Sequence, residues 1–410
     1  MPQTRTERNI EAMKKTKRIY TPITNIKHMV SILESRGERT MFDYFDAEGN
    51  IRKITYRALA ARVTAFGSGL YRLGRIKGRR TAIIGETSPS WYVAYLATVM
   101  FGGTAIPIAE IENFLCRAEA DNVVFSPLFA EKFRDVAARH PEIAFIPMAG
   151  AADAPYYKSM EEIESIGTGR PHDPSSPSDM DRLAVMLFTS GTTGTSKCVM
   201  LSDRNMCASL HTYSEVAENW ITDRLPAGQK LPLSHMTLLP LFHMACFVCV
   251  MSYPPAGWTL NLCGDIRDFY RDLGLMHSDV MASAPMLVET VYNDMKRGRV
   301  GRLNGLWDLC CSSAALDPRM LLELAQNGFV VNQCYGMTET FGDGILNFTQ
   351  VEKQMSAVGK PDDHVQYKLD ETGEICIKGD CVMLGYYKDP EATAEVIDAD
   401  GWFHTGDLAR

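Results

Sequence analysis

A chain of 410 residues exceeds the length at which one hydrophobic core usually stops growing, so two or three packed subdomains are expected. With 46% hydrophobic and 22% charged residues it is an ordinary globular composition, which excludes wholesale disorder, and a net charge of -8 argues against a nucleic-acid partner. Eleven irregularly spaced cysteines and no secretory signal at Met1 point to a reducing, cytoplasmic setting in which Cys acts as a small hydrophobe.

Along the chain, the basic stretch Lys14-Lys15-Thr16-Lys17-Arg18 reads as a solvated end. Leu59, Val63, Phe66, Leu70 and Leu73 recur at helical spacing, with Thr55 as N-cap and Gly74 as stop. Residues 81–85 then read as a short buried strand. Residues 92–109 carry no charge, but Gly102-Gly103 and Pro107 divide them into a core helix (91–100), a turn and a strand (104–108), so no membrane span is expected. This β-α-β rhythm implies a parallel sheet flanked by helices.

Between residues 167 and 181 the composition shifts to Gly, Pro, Ser and Asp, a linker and candidate boundary. Leu183–Phe188 is a buried-strand pattern running into a Gly/Thr-rich loop, and 280–283, 306–312 and 329–333 read as further strands. Cys246 and Cys249 have CxxC spacing inside an apolar run, with no second pair at ligand spacing, and are assigned to the core. From 365 to 383 the pattern becomes strand, turn (370–373), strand, a small antiparallel unit. The expected class is α/β: two parallel-sheet α/β subdomains (about 1–175 and 176–360) with flanking helices, plus a small distorted antiparallel β unit (361–410).

The loop after Phe188 has the chemistry of a phosphate cradle. Gly191 and Gly194 let backbone N–H groups approach an anion, Thr189, Ser190, Thr192 and Thr193 offer hydroxyls, and Lys197 adds a cation. A kinase-type P-loop fails on spacing, because Lys197 lies three residues after Gly194. A Ser/Thr/Gly surface loop remains the alternative on the loop alone.

Further segments follow in order: Leu239-Pro-Leu-Phe-His243, Gln333-Cys-Tyr-Gly-Met-Thr-Glu339, Gly373-Glu-Ile-Cys-Ile-Lys-Gly379 and Gly401-Trp-Phe-His-Thr-Gly-Asp407. With the loop, they resemble the signature motifs of the acyl-CoA synthetase, luciferase and peptide-synthetase adenylation superfamily. The resemblance covers nearly the whole chain and implies that the chain is the AMP-binding large domain. It implies ATP, Mg2+ and coenzyme A as ligands. Thr189 and Glu339 would hold the magnesium, Thr338 would contact the α-phosphate, Tyr335 would stack on adenine, and Asp407 would accept the ribose hydroxyls. Ser313, Ala314, Gln333, Cys334 and Gly336 would border the nucleotide. Phe242, His243, Phe247 and Ser312 would border the acyl group, with His243 moving between half-reactions; core packing explains Phe247 nearly as well.

Ser312-Ser-Ala-Ala-Leu-Asp-Pro318 and Gly385-Tyr-Tyr-Lys-Asp-Pro-Glu-Ala-Thr-Ala-Glu395 are most similar to long-chain fatty acyl-CoA ligases. An apolar tunnel suits such an acid, since each buried methylene contributes about 0.8 kcal/mol. Several positions depart from the pattern. Ser196 and Cys198 replace Pro and Gly around Lys197, Ser312 and Ser313 replace two glycines, and the stretch 109–113 is short. The chain stops at Arg410, before the family's hinge and C-terminal lid domain with its adenylation lysine. The expectation is therefore a fatty acyl-CoA ligase, long- or medium-chain, represented by its large domain and impaired in turnover. The alternatives are a ligase loading a carrier protein and a binding module without turnover. Oligomeric state is not legible, and peripheral membrane contact stays open although no basic amphipathic helix stands out.

Overall fold

The computed structural model describes residues 23–108, 117–150, 153, 155–172, 179–189, 196–222, 225–226, 229, 231–312, 314–347, 357–361 and 365–409. The basic stretch 14–18, the short segment 109–113, the loop residues Ser190, Gly191, Thr192, Thr193 and Gly194, and Ser313 lie outside these residues.

The first long helix, Tyr56–Arg72, forms as its sequence dictates. The Thr55 hydroxyl accepts from Ala58 N (3.2 Å), the apolar stripe Leu59, Val63, Phe66 and Leu70 is fully buried, and Gly74 beyond its end sits at φ +65°. It packs backbone to backbone against Met160–Thr168. A Cβ on Gly69 would lie 2.1 Å from Ile163 O, and one on Gly167 would lie 1.8 Å from Ala65 O, so only glycine permits the approach. The uncharged helix Pro89–Met100 is buried along its length and capped by the Ser88 hydroxyl. Among the described residues no helix is long and apolar enough to cross a membrane.

Two large, mostly parallel sheets result. In the seven-stranded sheet, Leu183–Phe188, Thr104–Pro107, Arg80–Ile84, Asn122–Phe125 and Ala144–Pro147 run parallel in that spatial order. Cys198–Ser202 closes one side antiparallel to Leu183–Phe188, and Gly385–Tyr386 pairs antiparallel beyond it. In the nine-stranded sheet, Val330–Gly336, Asp308–Cys311, Val280–Ser283, Ser234–Thr237, Thr259–Leu262 and Thr40–Phe45 form the parallel centre. Ile51–Thr55 flanks it antiparallel at one side, with Gly344–Asn347 and Lys360–Pro361 at the other. Each large sheet therefore draws strands from both sides of residue 175. A three-stranded antiparallel sheet, Gln366–Leu369, Glu374–Lys378 and Phe403–Leu408, is the small unit expected near the end.

The ten described cysteines are free thiols. Cys246 and Cys249 lie on the buried helix Met244–Ser252, where burial pushes both thiols well above their ordinary range. Asp203 is wholly buried and salt-bridged to Arg182 (2.7 Å); burial still raises its carboxyl to about 6. Arg182 also donates to Gly103 O (2.8 Å), which ties the start of Leu183–Phe188 to the turn after the core helix.

His235, central in the nine-stranded sheet, is fully buried and accepts from Ala282 N (3.0 Å) through Nε2, with Thr237 Oγ1 3.0 Å from Nδ1. Burial lowers its pKa from 6.5 to about 3. The unfolded chain then takes up this proton first, so stability is lost as pH falls below about 6.5 and continues to fall towards 3, by at most about 1.4 kcal/mol per pH unit. Asp203 works in the opposite sense, so the comparison must be between variants. His235→Gln is expected to be less stable at pH 7 but to show a flatter loss of thermal midpoint between pH 6.5 and 5; a slope equal to that of the parent would refute the assignment.

Candidate active site

The neck of the Gly/Thr-rich loop is a hairpin. Phe188 faces Cys198 across the antiparallel pair, Thr189 N donates to Lys197 O (2.9 Å), and Lys197 N donates to Thr189 Oγ1 (3.2 Å). Both substitutions around Lys197 have a place in this neck. The Ser196 hydroxyl donates to Thr189 O, and the Cys198 side chain packs in the core of the seven-stranded sheet, where burial raises its thiol to about 12.

Thr189 and Lys197 open onto a cavity of about 580 Å³ that is also lined by Met337, Glu339, Tyr386, Thr405 and Gly406. Glu339 sits on the short turn Thr338–Thr340, just past the carboxyl end of Val330–Gly336, where parallel-sheet proteins gather ligands. It is only 8% exposed, and its Oε1 accepts from the Tyr386 hydroxyl at 2.9 Å. The Lys197 ammonium lies 4.5 Å from the centre of the Tyr386 ring, within cation–π range. Burial, and secondarily the charge of Glu339, raise the Tyr386 hydroxyl above its ordinary range, so it remains a donor at neutral pH. A carboxylate beside the Thr189 hydroxyl and a cation fits a hard divalent ion whose remaining ligands are phosphate oxygens and water.

A second group of expected residues meets at the other end of the motif. The Tyr335 hydroxyl donates to Asp407 Oδ2 (2.7 Å); burial, with Asp407 contributing, raises that hydroxyl. Gln333 is a brace, its Oε1 accepting from Leu316 N (3.2 Å). Cys334 Sγ lies 3.3 Å from Cys310 Sγ on the neighbouring strand. Ser312 is half-buried and Ala314 exposed on the turn after Asp308–Cys311, Thr338 is half-buried, and Gly336 is exposed at the strand's end.

On the expected acyl side, His243 stands exposed at the N-cap position of the helix Met244–Ser252 without a side-chain capping bond, its ring 4.6 Å from that of Phe242. Partial enclosure lowers its pKa below the ordinary imidazole value. Neither residue lines the cavity above. Phe247 is fully buried in an aromatic cluster with Tyr95 (4.8 Å between ring centres), Phe341 (5.7 Å) and Trp91 (6.2 Å), an arrangement that core packing accounts for.

Tyr386 was not among the expected residues, although it lies in the Gly385-Tyr-Tyr-Lys segment. Only the pairing of Gly385–Tyr386 with Cys198–Ser202 brings it over Glu339. Asp370, Cys376 and His404 also gather ligand atoms within 4.8 Å of one another. Asp370 Oδ1, however, already accepts from Thr372 N, Thr372 Oγ1 and Glu374 N in its turn, while Cys376 and His404 face each other across paired strands, Sγ 3.5 Å from Nδ1.

The strand bearing Tyr335 pairs with Gly344–Asn347 so closely that a Cβ on Gly344 would lie 2.0 Å from Tyr335 O, a backbone atom that cannot swing aside. Gly344→Ala is therefore expected to lower the thermal midpoint by several degrees and to weaken nucleotide binding with it, since Tyr335 and Glu339 flank the displaced backbone. Calorimetric melting with and without ATP checks this; an unchanged melt would contradict the packing described.

The family model "AMP-binding enzyme" matches residues 32–387. The chain is 27% identical to fatty acyl-CoA synthetase A of Dictyostelium discoideum over 88% of its length and 63% of the relative's. It is 27% identical to feruloyl-CoA synthase of an Amycolatopsis species (87% of this chain, 71% of that one). It is 28% identical to a mitochondrial medium-chain acyl-CoA ligase of Bos taurus (88% and 65%). The chain thus spans under two thirds of the length of the first and third of these. In fold it is similar to the N-terminal domain of FACL13 from Mycobacterium tuberculosis (TM-score 0.77, 19% identity, covering 94% of this chain and 96% of that one). It is equally similar to a long-chain-fatty-acid-CoA ligase from Archaeoglobus fulgidus (TM-score 0.77, 19%, 96% and 84%).

Proposed function

The chain belongs to the AMP-binding enzyme family, and from that membership we propose that it carries the nucleotide- and acyl-binding part of an AMP-forming fatty acid–coenzyme A ligase. The observation that supports this most is the convergence of Thr189, Lys197 and Glu339 on one cavity beside the strand end that carries Tyr335. That set answers a triphosphate with its metal: a cation and a hydroxyl for phosphate oxygens, and one carboxylate for the ion.

In this reading the fatty acid carboxylate attacks the α-phosphorus of ATP, an acyl–phosphate bond forms, and pyrophosphate leaves. Thr189 and Glu339 would hold magnesium, whose charge would offset that of the phosphate oxygens. Lys197 neutralises the departing pyrophosphate, and the Thr189 hydroxyl and Thr338 orient the oxygens. Tyr335 and Asp407 hold the adenosine, with Asp407 accepting from the ribose. No protein nucleophile is needed; positioning and electrostatic stabilisation carry the step. The coenzyme A thiol then displaces AMP from the acyl carbon. His243, whose pKa enclosure lowers, would border the carboxylate. The similarity to fatty acyl-CoA synthetase A and to a medium-chain ligase supports an aliphatic acid of medium or long chain; the feruloyl-CoA synthase match makes an aromatic acid the comparison to run. A cytoplasmic location fits the free cysteines.

ATP–pyrophosphate exchange across acids of increasing chain length, with ferulate in parallel, tests this. Exchange rising with aliphatic length is expected; exchange with ferulate alone, or with no acid, would overturn it. Lys197→Met should lower exchange about a hundredfold or more, as removal of a transition-state contact typically does. Its effect on AMP binding should be much smaller, because AMP lacks the outer phosphates.

A further inference from the structure

Tyr386 is held in place more firmly than a residue of a two-residue strand requires. Its backbone pairs with Val199, its N–H donates to Thr393 Oγ1 (2.9 Å), and the next residue donates its N–H to Cys198 O (2.8 Å). Gly385 adopts φ +135°, where a Cβ would meet Thr393 Cγ2 at 2.7 Å, so the approach to Tyr386 is shaped for glycine. Tyr387 points the other way, as strand alternation demands, and is fastened on that face: its hydroxyl donates to Glu119 (2.7 Å), and Arg80 lies 4.9 Å from the centre of its ring. Lys388, at φ +58°, pairs with the same Glu119. Fastened outside and paired along its edge, the segment can present the Tyr386 side chain to the cavity in essentially one way.

What it presents is a phenol with two jobs at once. The hydroxyl donates to Glu339 Oε1, and the ring face underlies the Lys197 ammonium. The preceding segment reinforces this, since Met383 N donates to Glu339 O (2.8 Å) and Leu384 N to Met200 O (2.9 Å). One short segment thus grips both the backbone of the carboxylate-bearing turn and the strand that follows the loop lysine.

We infer that Tyr386 is a positioning residue that couples the metal-side carboxylate to the loop lysine, its hydroxyl aiming Glu339 and its ring seating Lys197 until a triphosphate draws the lysine away. The inference rests on the ATP-binding reading above and adds to it a residue whose two ends act separately: the hydroxyl on the metal requirement, the ring on phosphate affinity.

The test is a calorimetric titration of ATP at a series of Mg2+ concentrations. The protein, Tyr386→Phe and Tyr386→Leu are compared, with thermal melts to establish that each variant is folded. Tyr386→Phe keeps the ring and loses the donor, so the Mg2+ concentration for half-maximal ATP binding is expected to rise about tenfold, with near-normal affinity at saturating Mg2+. Tyr386→Leu should add a loss of roughly two- to fivefold that Mg2+ does not restore. In a Glu339→Gln background Tyr386→Phe should have little further effect, because the coupling partner is gone. A purely structural tyrosine would instead lower the melt and weaken ATP equally at every Mg2+ concentration. Tyr386→Phe titrating like the parent, or losing as much in the Glu339→Gln background, overturns the inference while leaving the ligase reading intact. ATP binding by the parent without pyrophosphate exchange for any acid removes the ligase reading while the Tyr386 titration still decides this one. No ATP binding by the parent removes both.

Discussion

The geometry of the candidate site depends on one constraint: the strand Cys198–Ser202 is paired on both sides. Leu183–Phe188 on one flank sets the separation of Thr189 and Lys197, and Gly385–Tyr386 on the other delivers the aromatic ring beneath the lysine. The adjoining helix is fitted to the same strand. Asn205 Oδ1 accepts from Ser202 N (2.7 Å), while its amide nitrogen donates to Asp380 O (2.8 Å) and Val382 O (2.7 Å). Closure of the neck places Thr189 and Lys197 before an anion arrives, which lowers the entropy lost on binding.

Around that constraint, the cavity is lined by Lys197 and by the carboxylates of Glu339, Glu374, Glu395 and Asp398. Glu339 is the nearly buried carboxylate of the cavity, and its partner is a neutral phenol instead of a cation. A salt bridge there would neutralise the charge that a divalent ion needs, whereas a hydroxyl donor orients the carboxylate and leaves its charge in place. Where an ion pair is buried, as in Arg182 with Asp203, it lies at the start of the strand, away from the cavity, and fastens elements together.

What was legible in the sequence follows from the range of the forces involved. Helix Tyr56–Arg72 could be read because its cap, stripe and stop are local, and Leu183–Phe188 because a buried strand is a continuous apolar run. The grouping of Thr189, Lys197 and Glu339 came from motif order, and the cavity brings those three side chains to one surface. Less could be read where the determinant is a partner strand far away in the chain. The hairpin Thr40–Thr55 joins a sheet built otherwise from residues after 233, and Tyr386 reaches the site only through an edge pairing. Phe247 shows another limit, because a large aromatic near a motif looks the same in sequence whether it faces a ligand or packs against Tyr95 and Phe341.

The edge pairing of Gly385–Tyr386 has a consequence for how the molecule is made. Every other strand of its sheet has left the ribosome by residue 202, yet the outer edge of Cys198–Ser202 must wait for residues 385–386. At roughly 5–20 residues per second that interval is on the order of ten seconds or more, during which an apolar strand edge stands open to pairing with other chains. The half-finished polypeptide therefore already contains its loop lysine but has neither Glu339 nor the ring that seats it. The order of synthesis delays the nucleotide pocket until residues 385–386 have emerged, and leaves the nascent sheet with an open edge until then.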